Sequence, residues 1–112
     1  MNNHDVSFFY VKSDYRLVKV ELSKLLYVEC EKDYMRLHIE GQRPLMTLMT
    51  MKTLEERLPQ PQFIRLHRSI IVQVSKIEFI NQGSVNIAGN NLPIGNSYRD
   101  RFFSYIENFI LT

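Results

Sequence analysis

A mainly β chain with two short helices is predicted by three observations. Apolar residues alternate with polar ones over short runs, as in Met35, Leu37 and Ile39 set between Tyr34, Arg36 and His38, which is the period of a strand with one buried face. Turn-forming residues punctuate these runs at Ser13-Asp14, Gly41, Asn81-Gln82-Gly83 and Gly89-Asn90-Asn91. Helical spacing is confined to Met51, Leu54 and Leu58 and to Tyr98, Phe102, Tyr105 and Phe109. The connections are brief, so the pairing should be mostly antiparallel. Pattern alone does not separate such a chain from a small barrel.

Taken in order, Val6 to Lys12 reads as a strand with both faces largely apolar. Tyr15 to Val20 and Leu25 to Glu29 follow, separated by the polar break Glu21 to Lys24. The next strand sets Met35, Leu37 and Ile39 against a face carrying an aromatic, a cation and an imidazole, and a short strand at Pro44 to Leu48 comes after Gly41. Thr50 can then cap a helix whose free N–H groups need an acceptor, and Pro59 with Pro61 stops it after about two turns. Asn81-Gln82-Gly83 joins Ile77–Phe79 to Val85–Ile87 as a hairpin, and Gly89-Asn90-Asn91 leads into Leu92-Pro93-Ile94. A last helix carries the Tyr98 to Phe109 stripe, with Ser97 and Asp100 at capping-box spacing.

The 112 residues suit one domain, 1–112, with 45% hydrophobic and 23% charged residues, too apolar for disorder. Seven phenylalanines and six tyrosines supply a core. No apolar run approaches the roughly 18 residues of a membrane span, and Met1–Asp5 lacks a basic-then-apolar signal pattern, so a cytoplasmic location is expected. The single Cys30 agrees with a reducing compartment. His4, His38 and His67 show no metal-ligand spacing, and no cofactor is expected. A net charge of +2 is mild support for a polyanionic partner, so the distribution of charge matters more than its total.

The segment Phe63-Ile64-Arg65-Leu66-His67-Arg68-Ser69-Ile70-Ile71-Val72 inserts two arginines and a histidine among apolar residues. A half-buried edge strand alternates in this way; an array of donors for phosphate or base edges does so too. Arg68 offers a rigid fork that matches guanine O6 and N7 or a phosphate, and His67 offers one or two donors. Arg65 can stand with these donors or turn away by strand parity, and a surface pair with Glu55 or Glu56 is an equally good reading of it.

Two further polar loops carry similar groups. In Glu31-Lys32-Asp33-Tyr34, followed by Arg36, the acids read as a solvated turn, while Lys32 and Arg36 can contact phosphate and Tyr34 can donate its hydroxyl. Met35 and Cys30 read as packing. In Gly95-Asn96-Ser97-Tyr98-Arg99, Asn96 can read adenine or cap the last helix. Arg99 and Arg101 stand at the helix start, where the dipole disfavours cations, so Arg99 is a candidate for an anionic partner; a solvated arginine is the plainer reading.

Taken together, Leu25–Tyr34, Thr50–Pro59, Phe63–Val72 and Leu92–Tyr98 resemble the LytTR family of DNA-binding output domains, most often attached to bacterial response regulators. The resemblance runs from about Phe8 to Phe109, and the FIRLHRS block is closest to the family pattern. It implies an elongated stack of small, mostly antiparallel sheets, polar loops lying on one side to meet double-stranded DNA at promoter repeats, and transcriptional regulation as the output of a two-component system. It further implies that His67 and Arg68 reach into a groove, and that a receiver domain or a second copy of the chain controls binding. Where the family commonly has Ser-Arg, this chain has Gly95-Asn96, which puts the usual arginine contact in doubt.

The expected DNA-binding residues are therefore Lys32, Tyr34, Arg36, His67, Arg68, Asn96 and Arg99. No nucleophile pattern or glycine-rich phosphate loop points to an enzyme. The alternative is a small β module that stacks single-stranded nucleic acid on Tyr34, Arg36 and His38, or one that binds another protein by strand addition.

Overall fold

The computed structural model describes residues 6–112; the expectations about Met1–Asp5 and His4 lie outside the described residues. The chain opens with a hairpin of β1 (Phe8–Ser13) and β2 (Arg16–Glu21). Ser13 pairs with Arg16, so the turn is Asp14-Tyr15, one residue later than expected. Both turn residues have positive φ, 50° and 66°, the mirror-image geometry whose twist matches that of the flanking strands.

The central sheet has five antiparallel strands in the order β5 (Leu45–Leu48), β4 (Tyr34–Ile39), β3 (Leu25–Glu31), β7 (Ile70–Gln73) and β6 (Phe63–His67). The expected strands at Leu25 and Tyr34 are present, extended by two residues in β3. Helix α1 (Met51–Arg57) interrupts the order of strands in sequence and lets the chain return to the far edge as β6. Thr50 caps it as expected, its hydroxyl oxygen accepting from the Thr53 N–H at 3.1 Å, a contact that stabilises such helices by about 1 kcal/mol.

A third sheet follows, in the order β10 (Asn90–Pro93), β9 (Ser84–Ile87) and β8 (Phe79–Ile80), and α2 (Arg99–Ile106) closes the fold. Four sequence expectations need correction here. The strand placed at Ile77–Phe79 is Phe79–Ile80, because Val74–Lys76 form a 3-10 turn that delays it. The turn before β10 is Ala88-Gly89, with φ of 51° and 82°, and Asn90 already pairs with Ile87. No capping box forms at α2: a 3-10 turn over Asn96–Tyr98 precedes the helix, its first cap is Tyr98, and no side chain bonds the free N–H groups. Phe102 and Ile106 are the buried residues of α2, while Phe109 falls beyond the helix and is exposed, so the stripe is rotated from the expected one.

Two cores lie on opposite faces of the central sheet. Ile71 belongs to the first, with Val11, Val20, Val28, Met35, Leu37, Leu54 and Phe63, under the β1–β2 hairpin and α1. Ile70 and Val72 belong to the second, with Tyr27, Leu66, Val85, Ile87, Leu92, Phe102 and Ile106, under the third sheet and α2. Being covered on both sides, β7 has no polar face at all except Gln73. That residue is buried and satisfied: its amide donates to the Leu22 and Leu25 carbonyls at 3.0 and 2.6 Å and its carbonyl accepts from Gln62 at 2.9 Å. Stacking three layers along one axis gives an elongated body of 47 × 33 × 26 Å, in agreement with the expected architecture. Among the described residues no helix is long and apolar enough to cross a membrane, and no group of three or more His, Cys, Asp or Glu residues is placed to hold a metal.

Candidate nucleic-acid interface

Because β3 and β7 are antiparallel, the turn that leaves β3 and the turn that enters β7 fall at the same end of the central sheet. The Cys30 N–H donates to the Ser69 carbonyl at 2.8 Å, tying the Lys32-Asp33 turn to the Arg68-Ser69 turn. A third loop joins them from the other layer. The Gly95 N–H donates to the Leu66 carbonyl at 2.9 Å, which brings Gly95–Tyr98 against the end of β6. A Cβ at position 95 would stand 3.3 Å from His67 Cα, His67 Cδ2 and Tyr98 Cδ2, so glycine permits this close approach. Three loops that are far apart in sequence thus meet at one end, and Lys32, Arg68 and Asn96 are all exposed there.

The β6–β7 block is a tight hairpin, with His67 paired to Ile70 and only Arg68 and Ser69 between them. A bulge between Arg65 and His67 shifts the strand parity. Leu66 therefore enters the second core, and Arg65 leaves the free end to pair with Glu55 of α1 at 3.1 Å, one of the two partners expected for it. The Arg65 guanidinium also donates to the carbonyls of His67 and Arg68 and sits 5.4 Å from the Tyr98 ring centroid. Arg101 approaches the same Glu55 at 3.7 Å. The order of residues offers Glu55 and Glu56 alike for Arg65, and gives no sign of Tyr98 and Arg101, which only the folding of α2 against β6 brings near.

His67 is half-buried and its tautomer follows from its contacts. The Ser69 backbone N–H, which can only donate, lies 3.1 Å from His67 Nδ1, and the Ser69 hydroxyl lies 2.9 Å from the same atom. Nδ1 is therefore the acceptor and Nε2–H the ring's single donor. Arg68, by contrast, is exposed and has no side-chain partner among the described residues.

At the β3–β4 turn Lys32 takes a left-handed conformation, φ 60°, and is exposed. Tyr34 is 45% exposed. Arg36 lies one pleat further along the same face and is engaged by two carboxylates, Glu31 at 2.5 Å and Glu29 at 3.9 Å. His38, next on that face, stacks on Tyr27 with centroids 4.1 Å apart and bonds Glu29 at 2.8 Å. Burial, with the Glu29 carboxylate adding to it, pushes the Tyr27 phenol above its ordinary value. Of the three residues that a stacking platform for single strands would use, Tyr34 alone is exposed, while Arg36 and His38 are half-buried and paired with carboxylates. Met35 is buried and Cys30 packs half-buried against the first core, both as expected.

Asn96 is exposed and makes no capping bond, which removes the capping account of this residue. Arg99, the first residue of α2, is half-buried with its guanidinium 5.2 Å from the Phe103 ring centroid.

This arrangement of loops and layers has a counterpart among solved structures. The chain is similar, at 25% identity and with a TM-score of 0.78, to the LytTr DNA-binding domain of a protein described as a methyl-accepting/DNA response regulator of Bacillus cereus; the alignment covers 90% of this chain and 97% of that one. No curated protein matched the chain. The family profile of the LytTr DNA-binding domain matches residues 15–107, a span that contains all five strands of the central sheet, the third sheet and all three converging loops. With sequence profile and fold in agreement over nearly its whole length, the chain belongs to the LytTR family of DNA-binding domains.

Proposed function

We propose that residues 1–112 act as one unit that binds double-stranded DNA at specific sequences to regulate transcription, and that the three converging loops are its contact surface. The observation that carries this reading is the placement of Lys32, Arg68 and Asn96, each exposed, on three loops tied together by backbone hydrogen bonds. Strand-and-loop readers need no recognition helix in the groove. Lys32 and Arg99 hold phosphates and the Tyr34 hydroxyl donates to one, which sets position without carrying sequence information. Arg36 joins them by exchanging a carboxylate partner for a phosphate. Arg68 reads guanine through its fork, Asn96 reads adenine, and His67 Nε2–H gives a single donor to a base acceptor. The solved relative is described as part of a response regulator. By that similarity, a receiver domain or a second copy on a repeated site governs occupancy.

Selection of bound sequences from a pool of random duplexes tests the reading. A recovered motif, bound by the wild-type protein with an affinity that falls steeply with salt, is the expected result. Recovery of no motif, or tighter binding to single strands than to duplexes, would overturn it.

A further inference from the structure

We propose that Arg65 is a positioning residue for the reading turn: by holding the two carbonyls that flank Arg68 it fixes the backbone from which that side chain projects, and it contacts no DNA itself. This inference rests on the duplex-binding reading and deepens it. The reach of Arg68 is only as definite as the two-residue turn that carries it. One planar guanidinium spans that turn, since Arg65 Nε donates to the His67 carbonyl at 3.3 Å and Nη2 donates to the Arg68 carbonyl. The third nitrogen, Nη1, is held by Glu55 at 3.1 Å, and the Tyr98 ring lies 5.4 Å away. Arg65 is only 18% exposed, and Glu55 is itself approached by Arg101, so α1, β6, the start of α2 and the turn meet on one side chain. Only a rigid fork makes this set of contacts; a lysine ammonium, a point charge on a flexible stem, cannot hold two carbonyls and a carboxylate in these directions. The bulge that turns Arg65 away from the free end is what makes the brace geometrically available.

The test compares Arg65→Lys and Glu55→Gln with wild type, each also in an Arg68→Ala background, on the selected duplex and a scrambled one across a range of salt. Both single variants are expected to lower the preference for the selected duplex about tenfold, a typical coupling between residues in contact, while leaving the slope of affinity against salt unchanged. In the Arg68→Ala background that loss should vanish, because Arg65 acts through Arg68. In Arg65→Gln, which removes the cation that Arg65→Lys keeps, a slope reduced by about 0.9, the signature of one lost phosphate contact, would make Arg65 a direct DNA contact and overturn the proposal. So would a loss of preference that persists without Arg68, or no loss at all. Amide exchange gives a readout independent of DNA. In Arg65→Lys it should rise at Arg68 and Ser69 and stay unchanged at Val85 and Ile87; no change at Arg68 and Ser69 overturns the brace. If wild type shows no preferred duplex, the functional reading fails, and the exchange rates still decide the brace.

Discussion

At the β3–β4 turn Arg36 lies between the carboxylates of Glu31 and Glu29, whereas at the neighbouring β6–β7 turn Arg65 takes Glu55 and leaves Arg68 without a carboxylate. Both turns have two residues, both stand at the same end of the central sheet, and the two are joined by the bond from Cys30 N–H to the Ser69 carbonyl. Their cations nonetheless differ in readiness. In the first, the acids at 29, 31 and 33 offset the charges of Lys32 and Arg36, and a polyanion must displace or outcompete them. In the second, Arg65 takes the carboxylate and holds the backbone, and Arg68 has no side-chain partner among the described residues. One block of sequence, FIRLHRS, thus holds one arginine half-buried in a network of contacts and leaves the other exposed, and the bulge at Leu66 performs the division.

The largest expected effect tests the free arginine. Arg68→Ala should lose roughly 1–3 kcal/mol of discrimination between the selected and scrambled duplexes, as for a lost bidentate base contact. Its melting temperature should change little, because the side chain is exposed and has no partner among the described residues. Equal weakening on both duplexes would make Arg68 a phosphate contact and erase the contrast between the turns.

Next in size is Asn96→Arg, which restores the residue common in the family and should move preference at one base position from adenine toward guanine by about tenfold, read from a panel of single-site variants. Asn96→Ala should leave thermal stability unchanged, since no capping bond is present to lose. A drop of about 1 kcal/mol, the cost of a lost cap, would return this residue to a structural role.

Smaller effects belong to the β3–β4 turn. Lys32→Ala should weaken both duplexes alike and reduce the log–log salt slope by about 0.9 without touching preference. Glu31→Gln should work in the opposite direction. By releasing Arg36 and removing a negative charge it should tighten both duplexes modestly, about two- to threefold, with the gain shrinking as salt rises. If Glu31→Gln leaves binding unchanged, Arg36 takes no part in the interface and the pair is purely structural.

Much of this was readable before folding. Strict alternation in Tyr34–Ile39 announced a strand with one buried face, and Thr50 with Pro59 and Pro61 bounded α1, because both signals are local. Phe63–Val72 was legible as the chain's most informative block, but its division into two strands was not: Arg68-Ser69 carries no glycine or proline to mark a turn, and β7 is apolar on both faces because layers distant in sequence cover it. Ser97 and Asp100 had capping-box spacing, yet the 3-10 turn over Asn96–Tyr98 and the Gly95 bond to Leu66 set the start of α2 instead. At the site, charge offered Glu55 and Glu56 alike as partners of Arg65, and the bulge that decides its direction carries no mark in the sequence. The Ser69 contact that fixes the His67 tautomer depends on the turn geometry, and the Tyr98 ring on how α2 packs, neither of which leaves a mark in the order of residues.

The proposal makes the three loops at one end of the sheet a single DNA-contacting surface. Amide chemical shifts of the wild-type protein titrated with its selected duplex test it most directly. Changes are expected to concentrate at Lys32–Tyr34, His67–Ser69 and Gly95–Arg99, while the apolar groove that Val74, Ile77, Phe79, Phe103 and Phe109 line beside α2 stays unaffected. Changes centred on that groove, or spread along Tyr34, Arg36 and His38 with the other two loops silent, would contradict it.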